Sequence, residues 1–280
     1  MHAQVMTVTP TIASSWLSKN DKNRRVAQHH VRKLAGEITA GRWSLNGQSI
    51  SFDENGRLLD GQHRLNAIIL AGIPVQTMVV TGVTDPEAFK TYDGHVLKRG
   101  ASQVAAMMGL KNSNNTIAIA RVVRIYDQSK SMGEFAKVLT HGTDDSPAVT
   151  AEMAIEMADE IRHATEMVPS CLTKRSGWPS GVQALAVIFN RIDPVSASEF
   201  FGRIKGGRFY GEKDPCLQLR DRMMAGRIGM SATEWKRTVA AITIKSFNAF
   251  RKGKDIASLR WRIQGDNPER FPAIDGASKC

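Results

Sequence analysis

Nothing in the 280-residue chain approaches the run of about 20 apolar residues that a membrane-spanning helix requires. No membrane partner is therefore expected. Met1 to Pro10 lack a basic start followed by an apolar block, so no secretion signal is expected and the cytoplasm is the expected compartment. Cysteine is scarce: Cys171, Cys216 and Cys280 are odd in number and widely spaced, which suits a reducing compartment and argues against a disulfide framework or a zinc site. His29-His30 has no partner at zinc-ligand spacing. A Walker-type phosphate loop, a dinucleotide glycine fingerprint, internal repeats and low-complexity tracts are all missing. Hydrophobic residues at 42% and charged residues at 23% are ordinary for a globular protein large enough for one or two domains.

Charge is what the chain has in excess, and it is unevenly placed. The formal net charge is +11, yet residues 1–170 carry 18 Lys and Arg against 17 Asp and Glu. Residues 171–280 carry 20 against 10. A basic half attracts polyanions by counterion release, which points to nucleic acid as a partner.

Patterning divides the chain in two. Thr9-Pro10 predicts a capped helix to about Ser18, and a second helix is predicted over 24–40 with Val31, Leu34, Ala35 and Ile38 on one face. Gln48–Phe52 and Arg57–Leu59 flank Asp53-Glu54-Asn55-Gly56 as a strand hairpin. A helix begins after Asp60-Gly61, burying Leu65, Ile68 and Ile69 and ending at Gly72; Val75–Val80 reads as a strand, and Asp85-Pro86 opens another helix. The later part reads as helical over Asn114–Gln128, Thr150–Met167 and Pro179–Arg191, with Met153 and Met157 as core positions. Proline-started helices follow Asp193 and Asp214, and a capping box at Ser231–Glu234 opens a helix to about Arg251. Gly133–Pro147 and Gly206–Asp214 read as loops. The expected fold is α+β: residues 1–110 as a small mixed sheet with helices, then an all-α basic domain over 111–280.

One turn carries chemistry. At Leu58-Leu59-Asp60-Gly61-Gln62-His63-Arg64 a strand ends, glycine turns tightly and a helix begins. The first amides of that helix lack intrahelical partners and lie at the positive end of its dipole, an arrangement that favours an anion. Gly61 permits close backbone approach, Arg64 can fork onto phosphate oxygens, and His63 can donate to phosphate or move a proton. Asp60 is a helix cap, a magnesium ligand or a base. Asp93-Gly94-His95 with Lys98 and Arg99 is a second constellation, one that would complete a metal and phosphate site or else a helix-ending turn with solvated charges. Two basic stretches, Arg251, Lys252 and Lys254, and Arg260, Trp261 and Arg262, where cations flank an aromatic, read either as nucleic-acid contacts or as a solvated basic face with Trp261 in the core. Lys245 and Arg208 extend this set; Arg208 lies in the basic loop Lys205–Tyr210, a polyanion clamp or simply a linker.

The stretch Ser51–Gly72, with Asp53-Glu54-Asn55-Gly56-Arg57-Leu58-Leu59-Asp60-Gly61-Gln62-His63-Arg64, resembles the ParB/sulfiredoxin-like superfamily. It resembles more narrowly the phage-type branch with the Asp-Gly-Gln-His-Arg motif. Thr9–Asn20, Gly41-Arg42-Trp43, Tyr92-Asp93-Gly94 with Lys98-Arg99, and the tail around Trp261 and Phe271-Pro272 are similar to the same group. The superfamily includes sulfiredoxins, serine kinases using ATP or ADP, CTP-binding partition proteins, nucleases and ATPases of DNA-modification systems. The resemblance implies that Gly61, Gln62, His63 and Arg64 bind nucleotide phosphates. Gln62 stands where sulfiredoxins carry their catalytic cysteine, which excludes that chemistry. Gln62-His63-Arg64 also departs from the Glu-Arg-Arg of partition proteins. The implied function is an ATP (or other nucleoside triphosphate) and magnesium-dependent phosphotransferase or triphosphatase acting on or with DNA. In that reading Asp60, His63 and Asp93 are catalytic, Asp60 and Asp93 hold the metal, and Lys98 and Arg99 neutralise phosphate. The alternatives are a metal-dependent nuclease and a non-enzymatic, nucleotide-gated DNA-binding protein. In kinase members a glutamate from an earlier helix is the base, a position for which Glu37 is a candidate, although a solvated helix carboxylate is the simpler reading.

Overall fold

A computed structural model describes residues 1–20, 26–85, 100–139, 145–263 and 268–277. The chain divides into two compact units, Met1–Lys98 and Arg99–Cys280. Together they form a mixed α+β structure in which one small sheet belongs to the first unit and the described remainder is helical. No described helix is long and apolar enough to cross a membrane.

The first unit contains β1 (His2–Val8), α1 (Pro10–Leu17), α2 (Gln28–Thr39), β2 (Ser49–Asp53), β3 (Leu58–Asp60), α3 (Gln62–Ala71) and β4 (Val75–Val83). The strand order is β1-β4-β2-β3. β4 is antiparallel to β1 and parallel to β2, while β2 and β3 form the hairpin. α3 is the crossover that parallel pairing demands between the hairpin and β4. β1 was not expected from the sequence. It is an edge strand that is exposed along most of its length, so its residues show no alternation from which pairing with β4 could be read.

Local chemistry explains the elements that were legible. The Thr9 hydroxyl accepts from the Ile12 amide at 3.2 Å, and Pro10 occupies the first helical turn. Asp53 organises the hairpin: Oδ1 accepts from the amides of Asn55 and Arg57 at 2.9 and 2.8 Å, and Oδ2 pairs with Arg57. Gly56 takes the left-handed conformation that closes a three-residue hairpin loop. α2 buries Val31, Ala35 and Ile38, with Leu34 packed on the same cluster. On α3, Leu65 and Ile68 are buried, but Ile69 is exposed, a correction to its expected place in the core. Helical spacing puts Ile69 beside Ile68 in sequence but about 100° round the helix.

The described residues of the second unit form α4 (Ala101–Met107), α5 (Ser113–Gln128), α6 (Met132–Val138), α7 (Pro147–Glu156), α8 (Ala158–Met167), α9 (Ser170–Arg175), α10 (Pro179–Ile192), α11 (Pro194–Gly206), α12 (Pro215–Ala225) and α13 (Ala232–Arg251). Ala101 and Ala105 of α4 pack into this unit's core. α10 is the core helix, with every residue from Ala184 to Phe189 fully buried. Phe189 stacks on Phe247 of α13 at 4.0 Å between centroids, and Phe200 of α11 meets Phe247 edge-on. Asp193, Asp214 and Ser231 cap α11, α12 and α13 through their side chains.

Two helical expectations are corrected. Thr150–Met167 is two helices with Met157 between them at φ −89° and ψ 0°; with neither Gly nor Pro there, the break leaves no sequence signal. The expected loop Gly133–Pro147 begins as α6. Its signal is Ser131-Met132-Gly133-Glu134: the Ser131 hydroxyl accepts from the Glu134 amide and Glu134 accepts from the Lys130 amide. Burial of Met132 and Phe135 completes the case for helix despite the glycine.

Candidate functional site

The turn at Asp60–Arg64 is built by the edge of the sheet. β3 delivers Asp60, Gly61 is the residue before α3, and α3 has no side-chain cap at its N-terminus. Gly61 adopts φ +106°, and a Cβ there would lie 3.0 Å from Ile50 Cγ1 and 3.2 Å from Ile50 Cα. The glycine is thus demanded by strand β2 packing beneath the turn and by the left-handed backbone, not only by approach of a ligand.

Each motif residue has a distinct environment. Arg64 Nη2 donates to Asp60 Oδ2 at 2.7 Å, with the arginine side chain 14% exposed and the aspartate 40% exposed. The other terminal nitrogen, Nη1, is buried and has no hydrogen-bond acceptor among the described residues. A buried guanidinium N–H without a partner is costly and is the kind of group that recruits an acceptor oxygen. His63 Nε2 accepts from the Ala27 amide at 3.0 Å, which places the proton of the neutral ring on Nδ1. The His30 ring meets the His63 ring edge-on at 5.3 Å, so the pair His29-His30 is not simply solvated.

Gln62 is corrected: its side chain is only 4% exposed and its Oε1 accepts from Asn20 Nδ2 at 3.2 Å. It ties α3 to the end of the α1 segment. Glu37 forms a two-point pair with Arg42, at 3.0 and 3.3 Å, which accounts for it as a helix-surface carboxylate. Asp93, Lys98 and Arg99, and the helix expected from Asp85-Pro86, lie outside the described residues. Among the described residues no group of three or more His, Cys, Asp or Glu converges as a metal site.

The basic residues separate into paired and unpaired cations. Lys245 donates to Glu269 and to the Arg260 carbonyl, both at 2.7 Å. Arg251 pairs with Asp193 at 2.9 Å. Lys252 lies 2.7 Å from Asp275, as an ion pair without directed hydrogen-bond geometry, and Arg262 lies 3.3 Å from Glu269. Arg208, Lys254 and Arg260 are exposed with no carboxylate partner among the described residues. Trp261, expected as a stacking platform, is corrected to a core residue. It is 9% exposed, packs edge-on to Phe271, and its indole N–H points at the carbonyls of Glu269 and Arg270.

Sequence reasoning undervalued Tyr210, whose ring is 79% exposed beside Arg203. Its signal was present in the Lys205–Tyr210 loop, but composition alone does not distinguish a presented aromatic from a linker residue.

No protein-family model matches the chain, and neither a curated protein nor a solved structure matches it.

Proposed function

We propose that this chain is a ParB/sulfiredoxin-like protein of the phage Asp-Gly-Gln-His-Arg type, that it binds ATP or another nucleoside triphosphate at the N-terminus of α3, and that it works on or with DNA. The observation that carries this reading is Arg64. Its Nη1 is buried without an acceptor among the described residues, one turn into a helix with no side-chain cap. A guanidinium, the N-terminal end of a helix and a nearby carboxylate are the parts that phosphate recognition uses. An anionic oxygen entering here would satisfy Nη1 and compete with Asp60 for Nη2.

Asp60 would then be released to hold magnesium together with phosphate oxygens and water, since that ion needs only one or two protein carboxylates. Magnesium supplies charge neutralisation for phosphoryl transfer or hydrolysis when bound. Arg64 and the backbone of the Gly61–Arg64 turn orient the phosphate chain, and His63 lies on the same turn. The basic second unit supports DNA as the client through its exposed cations, Arg208, Lys254 and Arg260.

The observed Asp60–Arg64 pair also favours a second reading, nucleotide-gated DNA binding without turnover. In it Asp60 serves as the displaceable partner of Arg64 and not as a base. A thermal-shift panel of ATP, CTP, GTP and their diphosphates with magnesium, followed by product analysis of each hit, tests both. Stabilisation that disappears in Arg64→Ala is expected. Unchanged nucleotide binding by that variant removes the assignment, and stabilisation without product selects the second reading.

A further inference from the structure

The second unit holds a cleft of about 220 Å³ whose lining includes Arg203, Tyr210, Asp214, Phe250, Lys254 and the exposed Asp255. It lies where the 207–214 loop meets the turn after α13, two basic segments far apart in sequence. We infer that this cleft is a single-stranded nucleic-acid site in which an unpaired base stacks on Tyr210 while the flanking phosphates lie against Lys213 and Lys254. The inference rests on the reading that nucleic acid is the client, and it names the place and the form of nucleic acid bound.

Three observations carry it. The first is that Tyr210 is presented and not stranded. The Arg203 guanidinium lies over its ring at 4.5 Å and over the Phe250 ring at 4.8 Å, so one face of the tyrosine is supported from within while the residue stays 79% exposed. A ring with a supported inner face and an open outer face is a stacking surface for any base.

The second is that the loop is held in place. The buried Asp214 carboxylate accepts from the amides of Tyr210 at 2.9 Å and Cys216 at 2.8 Å, and it lies 3.5 Å from Arg203 Nη1. The Ile256 amide donates to the Lys213 carbonyl at 2.8 Å, which ties the loop to the turn after α13. Gln218 holds the Glu212 carbonyl at 2.7 Å. A site fixed before binding loses little ordering entropy on binding.

The third is charge. The two segments carry seven cations between Arg203 and Lys254 against Glu212, Asp214 and Asp255, with Arg203, Arg251 and Lys252 paired to Asp214, Asp193 and Asp275. Asp214 is consumed internally by the loop, and Lys205, Arg208, Lys213 and Lys254 are exposed. Aromatic stacking inside such a cationic surround is how single strands are held without sequence preference. Duplex DNA offers no unpaired base to the ring.

The test is fluorescence anisotropy of the full chain with labelled oligothymidylate and oligouridylate of about 20 nucleotides, a few OB-fold site lengths, and with a duplex of the same length. Single strands are expected to bind more tightly than duplex. Tyr210→Ala should weaken them by about 5- to 150-fold, the usual loss of one stacked base. Tyr210→Phe should retain affinity because stacking does not use the hydroxyl. Lys213→Ala with Lys254→Ala should lower the salt slope by about 0.7 for each phosphate contact removed. Circular dichroism checks that the exposed substitutions leave the fold unchanged. The inference is overturned by duplex binding as tight as single-strand binding, by undiminished affinity in Tyr210→Ala, or by an equal loss in Tyr210→Phe. Arg64→Ala should keep oligonucleotide affinity, so failure of the nucleotide site and failure of this one give different results.

Discussion

Replacing Asp60 by Ala should do two opposite things to the first unit. The Asp60–Arg64 pair is short, at 2.7 Å, and its arginine is largely buried while its aspartate is 40% exposed. A charge-assisted hydrogen bond contributes roughly 1.5–3 kcal/mol and an exposed ion pair roughly 0.2–1 kcal/mol. The half-exposed geometry places this pair between them, at about 1–2 kcal/mol. Removing it leaves the guanidinium with neither terminal nitrogen satisfied by Asp60, so the free protein loses that stability. For a unit of this size each kcal/mol corresponds to about 4–8 °C in melting temperature. The same free energy is what an incoming phosphate gives up when it displaces Asp60 from Arg64. Asp60→Ala should therefore bind ATP about 10-fold more tightly in EDTA, a gain of about 1.4 kcal/mol. With magnesium the gain should shrink, because the carboxylate that would help hold the ion is gone. Calorimetric titration with and without magnesium, beside thermal melts followed by circular dichroism, measures both effects. A variant that melts with the wild type and binds ATP in EDTA no better than the wild type would refute the competition argument.

Two further outcomes follow from the geometry. Gly61→Ala must place a Cβ 3.0 Å from Ile50 Cγ1 and 3.2 Å from Ile50 Cα at a φ of +106°; a cost of about 1–3 kcal/mol is expected from the backbone conformation alone, seen as a lower urea midpoint at unchanged m-value. Asp193 has its pKa lowered, chiefly by the Ser196 amide, next by the Ser196 side chain and less by Arg251, and Glu234 has its pKa lowered by its bonds to Ser231. Depressed folded-state values mean that this stability is present above the unfolded carboxylate range near pH 4 and is lost as pH falls through the folded values. Asp193→Asn, which keeps a capping oxygen but no titrating charge, should flatten the acid limb of the stability curve; an unchanged limb would show that the pairing contributes nothing.

Much of the secondary structure follows from short-range chemistry that any reader of the chain can see. Thr9-Pro10, Asp193-Pro194, Asp214-Pro215 and the Ser231–Glu234 box each begin a helix because the donor, acceptor and ring constraint lie within four residues. Asp53 and Gly56 make the hairpin for the same reason. The strand–glycine–helix turn after Asp60 is legible too, because a glycine between a strand and a helix is a local statement.

The remainder depends on residues distant in sequence. β1 exists because β4 pairs with it, and the Met157 break is set by packing of two helices with no breaker between them. Gly61 is required by Ile50, Gln62 is turned inward to Asn20, and His63 is oriented by the Ala27 amide. Trp261 and Tyr210 show the limit most clearly: both are aromatics among cations, yet one is sealed against Phe271 and the other is held open by Arg203. Composition supplies the ring and the charges, but only the tertiary fold decides which face of a ring meets water, because burial depends on what the rest of the chain brings against it.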